Sequence, residues 1–217
     1  RVRFYGGLIV GMTDHFIIPR YGRWVGKYIN DNLKPGNKIA WLGQQQKDKY
    51  SDMFLAIEER IKIKDLEHHF YDIENDNHPP EKNRWDVHKS WEGQVEGYDL
   101  VLGLRLTYLI QSSSGLAVNL KCVVEKNKKV VFDFSSGNLF DLGGGEKRQA
   151  WKIGSKNLIP HFTDILPEEV VDYEVPDIDH LLTTDMLTES GLKLKDIEVT
   201  KDPVKGRYYM LTEITKI

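Results

Sequence analysis

Residues 98–134, YDLVLGLRLTYLIQSSSGLAVNLKCVVEKNKKVVFDF, constrain the fold more than any other stretch of the chain. Leu100-Val101-Leu102 is a short, continuous apolar run, the pattern of a strand buried on both faces of a parallel sheet. Ser112, Ser113 and Ser114 offer N-caps for a helix. Leu116, Leu120, Val123 and Val124 then recur at helical spacing, and Asn127 provides a left-handed stop. Lys129 to Phe134 supplies a second strand. Two buried strands joined by a helix make a right-handed βαβ unit. In open α/β sheets, ligands sit beyond the carboxyl ends of such strands. Gly103, Leu104 and Arg105, after the first strand, and Asp133 to Gly137, at the end of the second, therefore lie near the expected active edge.

The flanking chain repeats the alternation. Tyr21, Trp24, Val25, Tyr28, Ile29 and Leu33 form an amphipathic helix that Lys34-Pro35-Gly36 ends. Lys38 to Gly43, KIAWLG, is a short buried strand ending in glycine. Tyr50, Met53, Phe54, Ile57 and Ile61 mark the next helix, and His68 to Ile73 the next strand. Asn83 to His88 reads as a third, edge-like strand. Residues 135–176 carry Gly143-Gly144-Gly145 and no long period, so a loop-rich insertion of about forty residues is expected. Its aromatic residues argue that it is ordered. Asp177 can cap a helix with Ile178, Leu181, Leu182 and Leu187 inward and Gly191 just past its end. Leu192–Val199 and Arg207–Ile217 read as an antiparallel hairpin.

The bulk numbers narrow the class. A chain of 217 residues with a net charge of −3 has length enough for one well-buried α/β domain and no global basic field for nucleic acid. Its single cysteine, Cys122, excludes an internal disulfide and suits a reducing, cytoplasmic setting. No run approaches the ~18–20 apolar residues of a membrane span. Residues 1–11, basic and then apolar, read as an extension with no assigned role.

Strand–helix alternation closed by an antiparallel hairpin resembles the class I S-adenosylmethionine-dependent methyltransferases. KIAWLG resembles their first strand and the start of their glycine-rich loop. EGYDLVLGLRLTYLI is similar to their fourth strand, and HLLTTDMLTESGLKLKDIEV with RYYMLTEITK to the elements that end the fold. The resemblance covers residues 21–134 and 177–217. It implies a Rossmann-like, mostly parallel seven-stranded sheet with an insertion after the fifth strand. It also implies S-adenosylmethionine as cofactor and methyl transfer to an acceptor the sequence does not name.

The resemblance also distributes roles. Gly43 and Gln44 belong to the cofactor loop, Asp72 (or Glu74) to the ribose hydroxyls and Asp86 to the adenine, with Gly103 and Leu104 where cofactor and acceptor meet. Arg105 either binds an anionic acceptor or pairs with a neighbouring acid. The insertion is the acceptor-binding candidate, through Trp151, His161 and Phe162. Lys147, Arg148, Lys152 and Lys156 make its first half basic, which leaves a nucleic-acid or phosphorylated acceptor open. One departure stands out. The family's loop is of the G-x-G-x-G kind, whereas here Gly43 is followed by Gln44-Gln45-Gln46-Lys47. A rival expectation follows, that of a methyltransferase-like binding or assembly subunit that has lost the cofactor. A different nucleotide ligand is a third. No metal-ligand spacing appears, and Cys122 falls inside a helix, where a core role is expected.

Overall fold

The computed structural model describes residues 5–43, 52–71, 85–104, 106–107, 110, 112–135, 137–141, 147–152, 181–201 and 208–217. Six strands form the main sheet: β1 (Lys38–Leu42), β2 (Glu67–Tyr71), β3 (Leu100–Gly103), β4 (Lys129–Ser135), β8 (Leu192–Lys201) and β9 (Tyr208–Lys216). Their spatial order is β2-β1-β3-β4-β9-β8. The first four are mutually parallel, β9 runs antiparallel to β4, and β8 runs antiparallel to β9. The expected hairpin is therefore present at one edge of the sheet.

Alternation along the strands builds two cores, one on each face. Ile39, Trp41, Leu100, Leu102 and Val131 point toward α1 (Tyr5–Asn32) and α2 (Asp52–Glu58), meeting Ile17, Tyr21, Val25, Ile29, Phe54 and Ile57. Ala40, Leu42, Val101, Val130 and Phe132 point the other way, toward Leu116, Leu120 and Val123 of α3 (Ser113–Glu125). The α3 cap is the expected one: Ser112 accepts a hydrogen bond from the Gly115 amide at 3.1 Å. Asn127 adopts the left-handed φ of 56° that stops the helix. Asp99 plays a structural part, its carboxylate accepting the Lys38 amide at 2.8 Å and holding β1 beside β3.

Five expectations change. The main sheet has six strands among the described residues rather than seven. Over 85–88, where an edge strand was expected, Trp85 and Asp86 lie in loop and Val87 and His88 in a turn. The insertion is not merely loop: β5 (Gly137–Asp141), β6 (Lys147–Lys152) and β7 (Leu181–Thr183) pair antiparallel as a separate small sheet. Leu181 and Leu182, expected on a helix, sit on β7 opposite Lys152 and Trp151. The helix begins after them, as α4 (Thr184–Glu189), and closes at Gly191 with φ of 77°. Finally, α1 is 28 residues long and takes in residues 5–11, which the sequence reading left without a role. No helix among the described residues is long and apolar enough to cross a membrane.

One contact in the α1-facing core carries a pH dependence. The Trp41 indole N–H donates to His68 Nδ1 at 3.0 Å, within a cluster that includes Phe54 and Phe70. Burial, with the nearby His69, holds the His68 pKa below its ordinary value. A histidine whose folded pKa is depressed binds its proton more readily in the unfolded chain, so stability falls as pH drops. The contribution is complete above the unfolded value of about 6.5 and declines below it. Urea titrations at pH 7.5 and 5.5 are expected to show a lower midpoint in acid, and His68→Asn is expected to flatten that difference.

Candidate active edge

The carboxyl ends of β1, β2, β3 and β4 share one edge of the sheet. From β1 the chain turns outward to β2, then crosses back to β3 on the other side of β1. This reversal is a topological switch point, where open α/β sheets form their ligand crevice. Leu42, the last residue of β1, pairs with Tyr71 on one side and Gly103 on the other. Gly43 comes next.

Gly43 is constrained twice over. Its φ of 71° lies in the left-handed region, and a Cβ there would come within 2.9 Å of Leu106 Cδ1. Its amide donates to the Tyr71 carbonyl at 2.8 Å, tying the turn to the end of β2. The sequence resemblance implies that the amino-acid portion of the cofactor would lie against this turn.

Gly103 has a different reason to be glycine. A Cβ there would lie 2.4–2.6 Å from the Phe132 ring, so that ring occupies the side-chain space. After Gly103 the chain folds back into the protein. Leu104 is buried on the α1 side, and Leu106 and Ile110 on the α3 side. The Thr107 hydroxyl reaches the Asp133 carbonyl at 3.4 Å.

Asp86 forms a local turn. Its Oδ1 accepts the His88 amide at 3.0 Å and lies 3.3 Å from His88 Nδ1, and its Oδ2 is 3.5 Å from Lys89 Nζ. Partial burial opposes ionisation, but His88 and Lys89 outweigh it and hold the carboxyl below its ordinary pKa. Trp85 beside it is buried, packs on Tyr71 and Trp91, and its indole N–H has no partner among the described residues. The Tyr71 and Tyr98 phenols are hydrogen-bonded to each other, and burial together with that bond pushes the Tyr98 phenol up.

A buried pair that the sequence reading did not connect closes the edge on the α1 side. The Tyr21 hydroxyl donates to Asp133 Oδ2 at 2.6 Å, and both residues are buried. The only local sign was an acid in the apolar run VVFDF. Gln44, Asp72, Glu74, Arg105, His161 and Phe162 lie outside the described residues. Trp151 is on β6, whose sheet begins two residues past Ser135 at the end of β4. Cys122 is half-buried within α3, where burial pushes its thiol up. Among the described residues no cluster of three or more His, Cys, Asp or Glu could hold a metal ion.

The strand order, the single reversal at β1 and the antiparallel β8–β9 hairpin decide the architecture. The chain has the Rossmann-like class I methyltransferase fold. No family model matches the sequence, and no curated protein does. Solved structures do resemble it. It is 12% identical to the Burkholderia thailandensis 1,6-didemethyltoxoflavin-N1-methyltransferase, solved with bound S-adenosylhomocysteine, covering 95% of this chain and 82% of that one at a TM-score of 0.46. A methyltransferase from Aquifex aeolicus is 13% identical over 98% of this chain and 100% of its own, with a TM-score of 0.45. A Rhodobacter sphaeroides protein assigned to the zinc-dependent alcohol dehydrogenases is 13% identical over 88% of each chain, also at 0.45. The fold assignment rests on the strand order and not on these likenesses.

Proposed function

We propose that the chain is an S-adenosylmethionine-dependent methyltransferase. The observation that carries this reading is the left-handed Gly43 at the switch point, set between the ends of β2 and β3. Gly43 and Gln44 would hold the amino-acid portion of the cofactor. Asp72, next in sequence after the last residue of β2, would accept the ribose hydroxyls. Asp86, whose carboxylate is oriented by His88 and Lys89, would accept a hydrogen bond from an amino group of the adenine. The cofactor supplies a methyl group already activated on a sulfonium. The protein's share is to orient the acceptor for in-line attack and to exclude water. Leu104, buried just past the end of β3, would give the edge an apolar floor. Arg105, His161 and the β5–β6–β7 insertion would face the acceptor, and the sulfonium reaction asks for no catalytic triad.

Calorimetry with S-adenosylhomocysteine tests this directly. Binding is expected at a Kd of about 1–10 µM, roughly 7–8 kcal/mol. Gly43→Val is expected to weaken it by at least roughly tenfold, about 1.4 kcal/mol. Because a Cβ at Gly43 also disturbs the turn, Asp72→Ala serves as the second variant, and circular dichroism checks that both fold. Absence of binding to well-folded wild-type protein at millimolar ligand would sink the reading. A non-catalytic binding or assembly subunit would then describe the chain better.

A further inference from the structure

The crevice of an open α/β sheet lies between the two strands from which the chain leaves in opposite directions, here the neighbours β1 and β3. Each ends in or is followed by a glycine, and at neither glycine is the missing side chain's space empty. At Gly103 the Phe132 ring fills it. At Gly43 the filling group is Leu106. Its Cδ1 lies 2.9 Å from where a Cβ would stand, with its own Cβ and Cγ at 3.7 and 3.8 Å. Leu106 follows Gly103, the last residue of β3, by three places, yet it packs on the turn after β1. Its side chain therefore spans the crevice from one strand end to the other.

The two filling groups are held differently. Phe132 belongs to β4, whose backbone is paired to β3 on one side and to β9 on the other. Leu106 lies outside the sheet, and among the described residues neither its amide nor its carbonyl has a hydrogen-bond partner. The next residue, Thr107, is tied to the end of β4 by a long bond of 3.4 Å to the Asp133 carbonyl. What seats Leu106 is the burial of its side chain, which is 2% exposed. A group held by apolar contact alone can be exchanged for another without breaking a strand, and its local opening costs less than opening the sheet. The left-handed turn offers a ligand the space of a missing side chain, and that space is where Leu106 sits.

We infer that Leu106 is a gate on the ligand crevice. Seated on Gly43 it shuts the space between β1 and β3, and a ligand that lies against the glycine displaces it. This rests on the methyltransferase reading and adds a step to it, since the cofactor then binds the form with Leu106 withdrawn. The apparent affinity of a ligand is reduced by the fraction of molecules in the competent form. The seated leucine therefore weakens cofactor binding, and shortening it strengthens binding. A leucine that only packed the core would have the opposite effect, because its truncation would loosen the turn that the ligand needs.

The test uses the full chain and S-adenosylhomocysteine. Calorimetry compares the wild type with Leu106→Ala and with the milder Leu106→Val, each checked for folding by circular dichroism. Leu106→Ala is expected to bind at least roughly fivefold more tightly than the wild type, with Leu106→Val changed in the same direction. A second measurement needs no folded variant. In wild-type protein labelled at the leucine methyls, the Leu106 resonances are expected to move toward the solvent-exposed range at saturating ligand, while those of Leu120, in the same core on α3, stay in place. If the wild type binds but folded Leu106 variants bind no more tightly, or if the Leu106 methyls do not move, the inference is overturned and the methyltransferase reading stands. If the wild type does not bind S-adenosylhomocysteine at all, the reading fails first and the inference falls with it.

Discussion

Gly103→Ala is expected to destabilise the protein by about 3 kcal/mol, because the new methyl has nowhere to go. The Cβ would sit 2.4 Å from Phe132 Cζ and 2.6 Å from both Cε atoms, on a strand paired on both sides. Phe132 cannot swing aside freely, since it is itself fully buried and stacks on Trp91 with ring centroids 6.2 Å apart. With a urea slope of about 2 kcal/mol/M, the midpoint should fall by roughly 1.5 M. Phe132→Leu opens space over the same position. Gly103→Ala is therefore expected to be milder in that background than in the wild type, a coupling that a double-mutant cycle reads directly. The cycle also separates two roles for this glycine. If Gly103 is small only to seat the Phe132 ring, the double variant regains S-adenosylhomocysteine affinity along with stability. If the bound cofactor itself needs the space, stability returns and affinity does not.

That distinction could not be drawn from the sequence, and the reason is physical. Gly103 ends one short buried strand and Gly43 follows another, and both invite a ligand explanation. Gly43 has a backbone reason, its left-handed φ, together with a packing reason. Gly103 has a packing reason alone, supplied by a ring 29 residues further along the chain. What could be read in advance was local. The α3 cap and its Asn127 stop, the apolar cores of β1 and β3, and the β8–β9 hairpin each depend on residues close in sequence. Order and spacing of such elements were enough for the architecture. Leu181 and Leu182 were misplaced because two adjacent leucines suit a helix or a strand equally, and the choice is made by backbone pairing of β7 with β6 in the small sheet. The Tyr21–Asp133 bond joins residues 112 positions apart, which no periodicity reveals.

The segment around Trp85 went astray for a related reason, and Trp91→Ala shows what holds it. Trp85 and Val87 alternate with polar neighbours as strand residues do, but the segment's backbone groups find partners on α3 instead of on a sheet. Asn119 accepts the Trp91 amide at 3.1 Å and donates to the carbonyls of Val87 at 3.3 Å and Lys89 at 2.9 Å. The Trp91 indole N–H also reaches the Val87 carbonyl at 3.3 Å. Its ring is fully buried, edge-on to Trp85 and stacked on Phe132. Truncation to alanine is expected to cost about 3–5 kcal/mol, the range for emptying a large aromatic site. Asn119→Ala removes three hydrogen bonds, leaving the Trp91 amide and the Lys89 carbonyl without this partner while the Val87 carbonyl keeps the indole N–H, and should cost about 1–3 kcal/mol. The two routes differ in what they leave behind. Trp91→Phe keeps most of the packing and loses only the indole bond, so it should recover most of the stability of the alanine variant. If it recovers little, the indole hydrogen bond and not ring burial secures the turn. In either case the loss should reach Trp85 and Tyr71 at the end of β2, because those rings rest on one another. Near-ultraviolet circular dichroism should therefore weaken together with S-adenosylhomocysteine affinity, although Trp91 belongs to the core beneath the active edge.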